Sequence, residues 1–200
     1  MKKILLVSSL ALLSVACNGV SSKEATNDMA AAGNEEAAVK EAKMIAKTFG
    51  MSLKAELQAA MKSGGPINAL DVCNKKATPI AEAVAKEKQA EISRVSLKNR
   101  APGNVPNDWQ KAVLKDFDAR AAKGEDIKSM GFSEVVEHDG SKQLRFMKAL
   151  PTGDVCLKCH GSNISSDVQA KLDELYPKDK ATGYQKGQVR GGIVVIKELN

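Results

Sequence analysis

Apolar residues recur every third or fourth position in the first half of the chain and every second position in much of the second half. Ile45, Phe49, Leu53, Leu57 and Met61 are spaced by four and form one stripe among charged neighbours, which predicts a helix from about Glu35 to Lys62. Ser63-Gly64-Gly65-Pro66 ends it. A second helix is predicted from Pro66 to about Lys88, with Ile67, Leu70, Cys73, Ala77, Ile80 and Val84 on its apolar face. Pro79 removes a backbone donor inside it, so a kink or break is expected near Ala77.

Beyond Lys88 the period changes. Glu91 to Leu97 reads as a strand with Ile92, Val95 and Leu97 as apolar members, and Asn99 to Asp108 as a Pro/Gly loop. Asn107 or Asp108 can cap a helix reaching Lys123 that buries Trp109, Val113, Leu114 and Phe117. Phe132 to Glu137 and Gln143 to Leu150 form a hairpin about His138-Asp139-Gly140. Ser165 or Ser166 caps a short helix to Tyr176. Gln188 to Lys197 is a last strand, where Gly191-Gly192 permits a bulge or a close backbone approach. Helices first, then hairpin and strand, point to an α+β domain with an antiparallel sheet.

The N-terminus is of another kind. Lys2 and Lys3 precede an apolar run from Ile4 to Val15, and Ala16 and Cys17 end it. The run is short and has a small-residue exit, so it reads as a secretory signal, the other reading being a retained anchor. Ser14-Val15-Ala16-Cys17 resembles a bacterial lipobox, with Ser14 where leucine is usual; Ser14 and Ala16 also suit an ordinary signal-peptidase site. A lipidated Cys17 is the favoured expectation, and it would hold the domain at a membrane surface without a spanning helix. Residues 1–16 are thus expected as the signal, 17–34 as a flexible tether poor in large apolar residues, and 35–200 as one domain. The expected location is periplasmic or otherwise exported. No later stretch is long and apolar enough to span a bilayer.

The net charge is +6; removing Lys2 and Lys3 from the 30 basic residues leaves 28 against 24 acidic ones. The charges are interspersed and aromatics scarce, which speaks against nucleic acid as a partner. Four cysteines in an exported chain would ordinarily suggest disulfides. Here they divide otherwise.

Cys156-Leu157-Lys158-Cys159-His160 is a C-x-x-C-H signature, the attachment motif of c-type haem. On one helical turn, thiols three residues apart share a face and can both form thioethers with haem vinyl groups, while the adjacent histidine reaches the iron. A zinc site would need two further Cys or His ligands at matching spacing, and a thioredoxin-like dithiol would need a βαβ unit. Neither is visible. One motif implies one covalent haem c, with Cys156 and Cys159 as thioether residues and His160 as an iron ligand.

The second axial position is open to several residues. Cys73 lies on the apolar face of the second helix, where a small buried apolar cysteine is the plain alternative. His138 precedes a hairpin turn and should be exposed. Met147 alternates in a strand and should be core or sheet surface. Arg100, Arg145, Lys148 and Arg190 are candidates for the haem propionates, though each taken singly reads as ordinary surface charge.

A wider pattern narrows these choices. Ala69 to Asn74, Ala77 to Ala81, Arg94 to Asn104, Pro106 to Trp109, Val113-Leu114 and Phe117 resemble, in order and spacing, a PAS-like family of single-haem c domains, once known only as a domain of unknown function. The likeness resumes over Arg145 to Gly153, Cys156 to Gly161, Leu175 to Pro177, Asp179 to Tyr184 and Gly187 to Gly192. The resemblance implies a PAS-like sheet and helices around one haem c. It also implies axial ligation by the motif histidine and an upstream helical cysteine, here His160 and Cys73.

Three functions compete. One is a low-potential one-electron carrier working with a redox partner. A second is a haem-based sensor of redox state or a diatomic gas, which would signal through a partner protein. An enzyme ranks last, because there are only two histidines and His160 is already used.

Overall fold

The Gly64–Gly65 pair sets the layout of the N-terminal half. In the computed structural model, which describes residues 22–199 with side chains from residue 33, the first helix α1 spans Ser22–Lys88 and departs from helical geometry only at these two glycines. Gly65 has φ 66°, a conformation open to glycine at no steric cost, so the expected stop becomes a joint between two arms. Cys17 and the expected signal lie outside the described residues. The helical backbone already runs at Ser22, earlier than the periodicity suggests, in Ala- and Glu-rich sequence of high helix propensity. Residues Met1–Gly33 and Asn34–Asn200 are two separate units, and the second holds the sheet and every later helix.

The break expected near Ala77 does not occur. The backbone stays helical through Pro79. Pro79 and Lys75 are exposed, so water can satisfy the carbonyl that loses its helical partner.

Strand β1 (Glu91–Val95), helix α2 (Asp108–Ala122), the hairpin β2 (Gly131–His138) and β3 (Ser141–Pro151), two short helices α3 (Leu157–His160) and α4 (Ser166–Leu175), and β4 (Val189–Leu199) complete the chain. Asn107 caps α2 through a reciprocal box with Gln110. Asp139 and Gly140 both have positive φ, as a two-residue hairpin turn requires. The sheet is antiparallel throughout, in the order β1-β4-β3-β2. The α+β class is therefore as expected.

Each face of the sheet carries its own core. Leu144, Phe146, Ile193 and Val195 pack against Ala42, Ile45 and Phe49 of α1. Met147, Ala149 and Val194 point the other way, onto Val113, Leu114 and Phe117 of α2. A third cluster joins Leu70 of α1 to Val168 and Leu172 of α4, with Cys159 and Tyr176 beside it. Among the described residues no helix is long and apolar enough to cross a membrane.

Candidate functional site

The second arm of α1, the ends of β1 and β4, and the 3-10 turn Asp154–Cys156 leading into α3 enclose a cavity of about 290 Å³. Cys73, Cys156, Cys159 and His160 all line it. Residues more than 80 positions apart in sequence thus meet, and all three thiols are free and half-buried. Leu53, Leu57 and Met61, the far end of the predicted stripe, supply its apolar wall.

His160 is oriented from behind. Its Nδ1 lies 2.7 Å from the carbonyl of Ala181 and donates to it in the neutral ring, which leaves Nε2 as the basic nitrogen. Burial, reinforced by the charges of Arg190 and Arg100, drives its pKa down to about 2, so the imidazole is neutral and a competent metal ligand at ordinary pH. Tyr184 stands edge-on to the ring at 6.3 Å, and its backbone N–H donates to the carbonyl of His160.

Arg100 holds the motif in place. It is buried, pairs with Asp179 at 2.9 Å, and donates to the carbonyls of Cys159 and Ala181. Asp179 in turn accepts from the N–H of Ala181, the residue that orients His160. Arg100 is therefore not an ordinary surface charge: its Nε and Nη2 donors are committed to Asp179 and to the segment that carries Cys159 and His160, and it too lines the cavity. Arg145 pairs with Glu134 and lies over Trp109 on the α2 side, and the ammonium of Lys148 is wrapped by the carbonyls of Lys128 and Met130. Neither lines the cavity. His138 is exposed at the hairpin, and Met147 is fully buried against α2; neither lines the cavity with His160.

Two further guanidinium groups, those of Arg94 and Arg190, face the cavity. Arg190 is delivered by a bulge: Leu150 pairs with Gly191 and Pro151 with Val189, which leaves Arg190 as the extra residue of β4. Gly191, at φ 155°, lets the strand approach β1 so closely that a Cβ there would collide with the carbonyl oxygen of Val95. Both consequences expected of the glycine pair are present. Arg190 Nη1 donates to Ser96 Oγ at 2.9 Å, but its buried Nε has no partner. Arg94 makes no ion pair among the described residues, and burial lowers its pKa. Sequence reading passed over Arg94. The signal was its register: it shares a face with Ile92 and pairs with Ile193, so a charge occupies an inward-facing position.

Burial also raises the thiol pKa values of Cys73 and Cys159, while Arg94 and Arg100 pull that of Cys73 back toward ionisation. The arrangement fits a flat anionic prosthetic group. It offers two thiols on one turn, an imidazole whose Nδ1 is held by Ala181, a third thiol from another element, and two guanidinium groups without carboxylate partners among the described residues.

A second and larger cavity, about 480 Å³, lies between α2, the end of β1 and the loop before β4. Ser96 and Gly191 belong to the walls of both cavities.

No curated protein matches the chain. Among solved structures, the cyanobacterial heme-protein Tll0287 superposes with a TM-score of 0.57 at 20% identity, covering 82% of this chain and 94% of that one, which establishes a shared fold. A family model described as Tll0287-like matches residues 24–197, a span that includes every lining residue of the smaller cavity. The chain belongs to the Tll0287-like family.

Proposed function

We propose that this protein carries one covalent c-type haem in a PAS-like domain and serves as a low-potential one-electron carrier. The observation that carries the reading is the meeting of Cys73, Cys156, Cys159 and His160 in one cavity. The heme-protein named among the solved structures supports it. In this reading Cys156 and Cys159 supply the thioether bonds, His160 Nε2 and the Cys73 sulfur are the axial ligands, and Arg94 and Arg190 receive the propionates. The haem would supply a reversible iron(III)/iron(II) couple, and an anionic thiolate ligand lowers its potential. The residues set the conditions for that couple. Ala181 and Arg100 fix the imidazole, burial keeps it neutral, and the apolar stripe of α1 excludes water.

The proposal extends to the cell: export through the N-terminal signal, a lipid on Cys17 holding the domain at a periplasmic membrane surface, and a redox or signalling protein as partner, with no role for nucleic acid. A haem-based redox or diatomic-gas sensor is the second reading. It draws on Cys73, whose thiol is only half-buried and rides on an arm jointed at Gly64–Gly65, so this ligand can yield to another.

Pyridine haemochrome spectra of protein exported from a strain with haem-attachment machinery test the main reading. A c-type spectrum is expected, lost as a covalent adduct in Cys156→Ala/Cys159→Ala. Cys73→Ala should alter the low-spin EPR signal, and an unchanged signal removes Cys73 from the iron. Carbon monoxide added to the reduced protein separates the functions: inertness supports the carrier, fast displacement of the thiolate the sensor.

A further inference from the structure

The larger cavity takes no part in haem attachment, and its chemistry is unlike that of the smaller one. It carries both signs of charge without pairing them. Asp118, from the exposed edge of α2, has no hydrogen bond or ion pair among the described residues, whereas nearby Asp116 and Glu125 both engage Arg120. Partial burial raises the Asp118 carboxyl pKa, as a carboxylate short of a partner shows. Lys98 is fixed in place: its ammonium donates to the carbonyl of Thr182 and stands 4.6 Å above the Tyr184 ring, with two of its three N–H groups left over. Gln188 accepts from the N–H of Gln185 through Oε1, and its amide NH₂ has no partner among the described residues. The lining also includes the apolar Leu97, Leu114 and Val189.

An anion alone would meet Asp118, and a cation alone would meet Lys98. A molecule with both charges and a small apolar body satisfies all the groups. We propose that this cavity binds an aliphatic α-amino acid, the ammonium on Asp118, the carboxylate on Lys98 and Gln188, and the side chain against Leu97 and Leu114. Its volume lies within the range of small-molecule sites.

Occupancy is felt in the smaller cavity. Ser96 Oγ accepts from Arg190 and lies 3.3 Å from the Tyr184 hydroxyl. A ligand against Tyr184 or Ser96 therefore bears on the anchor of Arg190. This coupling, unlike the binding itself, rests on the haem reading.

Calorimetric titration of the full haem-loaded protein with L-leucine is the test. Saturable binding is expected, weaker by at least about tenfold for isopentylamine and for 4-methylpentanoate, the scale of one lost charge-assisted hydrogen bond. Asp118→Asn should weaken leucine by a similar factor and Asp118→Glu should retain it, with the absorption spectrum and melting temperature of both ligand-free variants unchanged. Leucine should also shift the Soret band of the wild type. The site is overturned if no standard amino acid binds saturably, if the amine binds as well as leucine, or if Asp118→Asn binds normally. Leucine binding without a Soret shift overturns the coupling alone. Protein that proves haem-free defeats the haem reading and leaves calorimetry to judge the site.

Discussion

The two faces of the sheet come from the same strands and end differently. On the α2 side, Phe117, Met130, Met147 and Val194 are almost wholly buried, and apolar groups meet apolar groups. On the α1 side, the same kind of packing holds around Ile45, Phe49 and Phe146, then gives way to a cavity lined by thiols, an imidazole and three guanidinium groups. Charged residues in inward-facing positions lower stability unless something offsets them. The α2-side core cluster therefore contributes stability through apolar contacts, whereas the α1 face also lines a space with polar and charged groups.

The sharpest way to break the comparison is acid. In haem-free Cys156→Ala/Cys159→Ala protein, the His160 pKa lies near 2 when folded against about 6.5 unfolded. The unfolded chain then binds the proton first, so stability is complete above about pH 6.5 and is lost as pH falls through the window below it. The shift is large enough for the loss to reach several kcal/mol. Urea midpoints at pH 7.5 and 5 should differ strongly, and His160→Gln should flatten the difference. A difference unaffected by His160→Gln would mean that the α1 side does not titrate through this residue.

Next come two substitutions of similar cost and opposite reach. Phe117→Ala leaves a cavity in the α2 core and should cost about 3–5 kcal/mol by urea denaturation, with the haem spectrum unchanged. Arg100→Met strands the buried Asp179 carboxylate and should also cost about 3–5 kcal/mol. It also releases the carbonyls of Cys159 and Ala181, so covalent haem content should fall. If both variants keep full haem content, Arg100 is merely structural.

Much of this was legible in the residues. Period-four and period-two patterns located the helices and strands, and Gly64–Gly65, Asn107 and Asp139–Gly140 carried their own local physics. The C-x-x-C-H spacing located the motif, and the family resemblance pointed to Cys73, which the fold brings to the same cavity. The role of Arg100 was not legible, because its partners Asp179 and Ala181 are about 80 residues away and only the fold makes them neighbours. Arg145 and Lys148 lie away from the cavity for a related reason. Arg145 pairs with Glu134 on the α2 side and the Lys148 ammonium is held by backbone carbonyls, and a sequence does not display such placements. Pro79 leaves the helix unbroken because its flank faces water, an exposure that only the fold decides.

The smallest expected effect tests the wall between the cavities. Gly191→Ala puts a methyl against the Val95 carbonyl oxygen and 3.2 Å from the Cβ of Ser96, at a φ that side chains rarely adopt. Strain of this kind costs about 1–3 kcal/mol. Gly131→Ala, at the far edge of the sheet, meets only the Met147 carbonyl oxygen at an ordinary 3.7 Å and the Phe146 ring just beyond it, and should stay within about 0.5 kcal/mol of wild type. The two substitutions are chemically the same, so fold-wide effects cancel between them. Gly191→Ala must also displace Ser96, and with it the hydrogen bond that seats Arg190. Its haem spectrum should therefore shift although no proposed ligand has been touched, while that of Gly131→Ala stays put. Equal spectra would mean that Arg190 is indifferent to the wall it shares, and that the polar face is as self-contained as the apolar one.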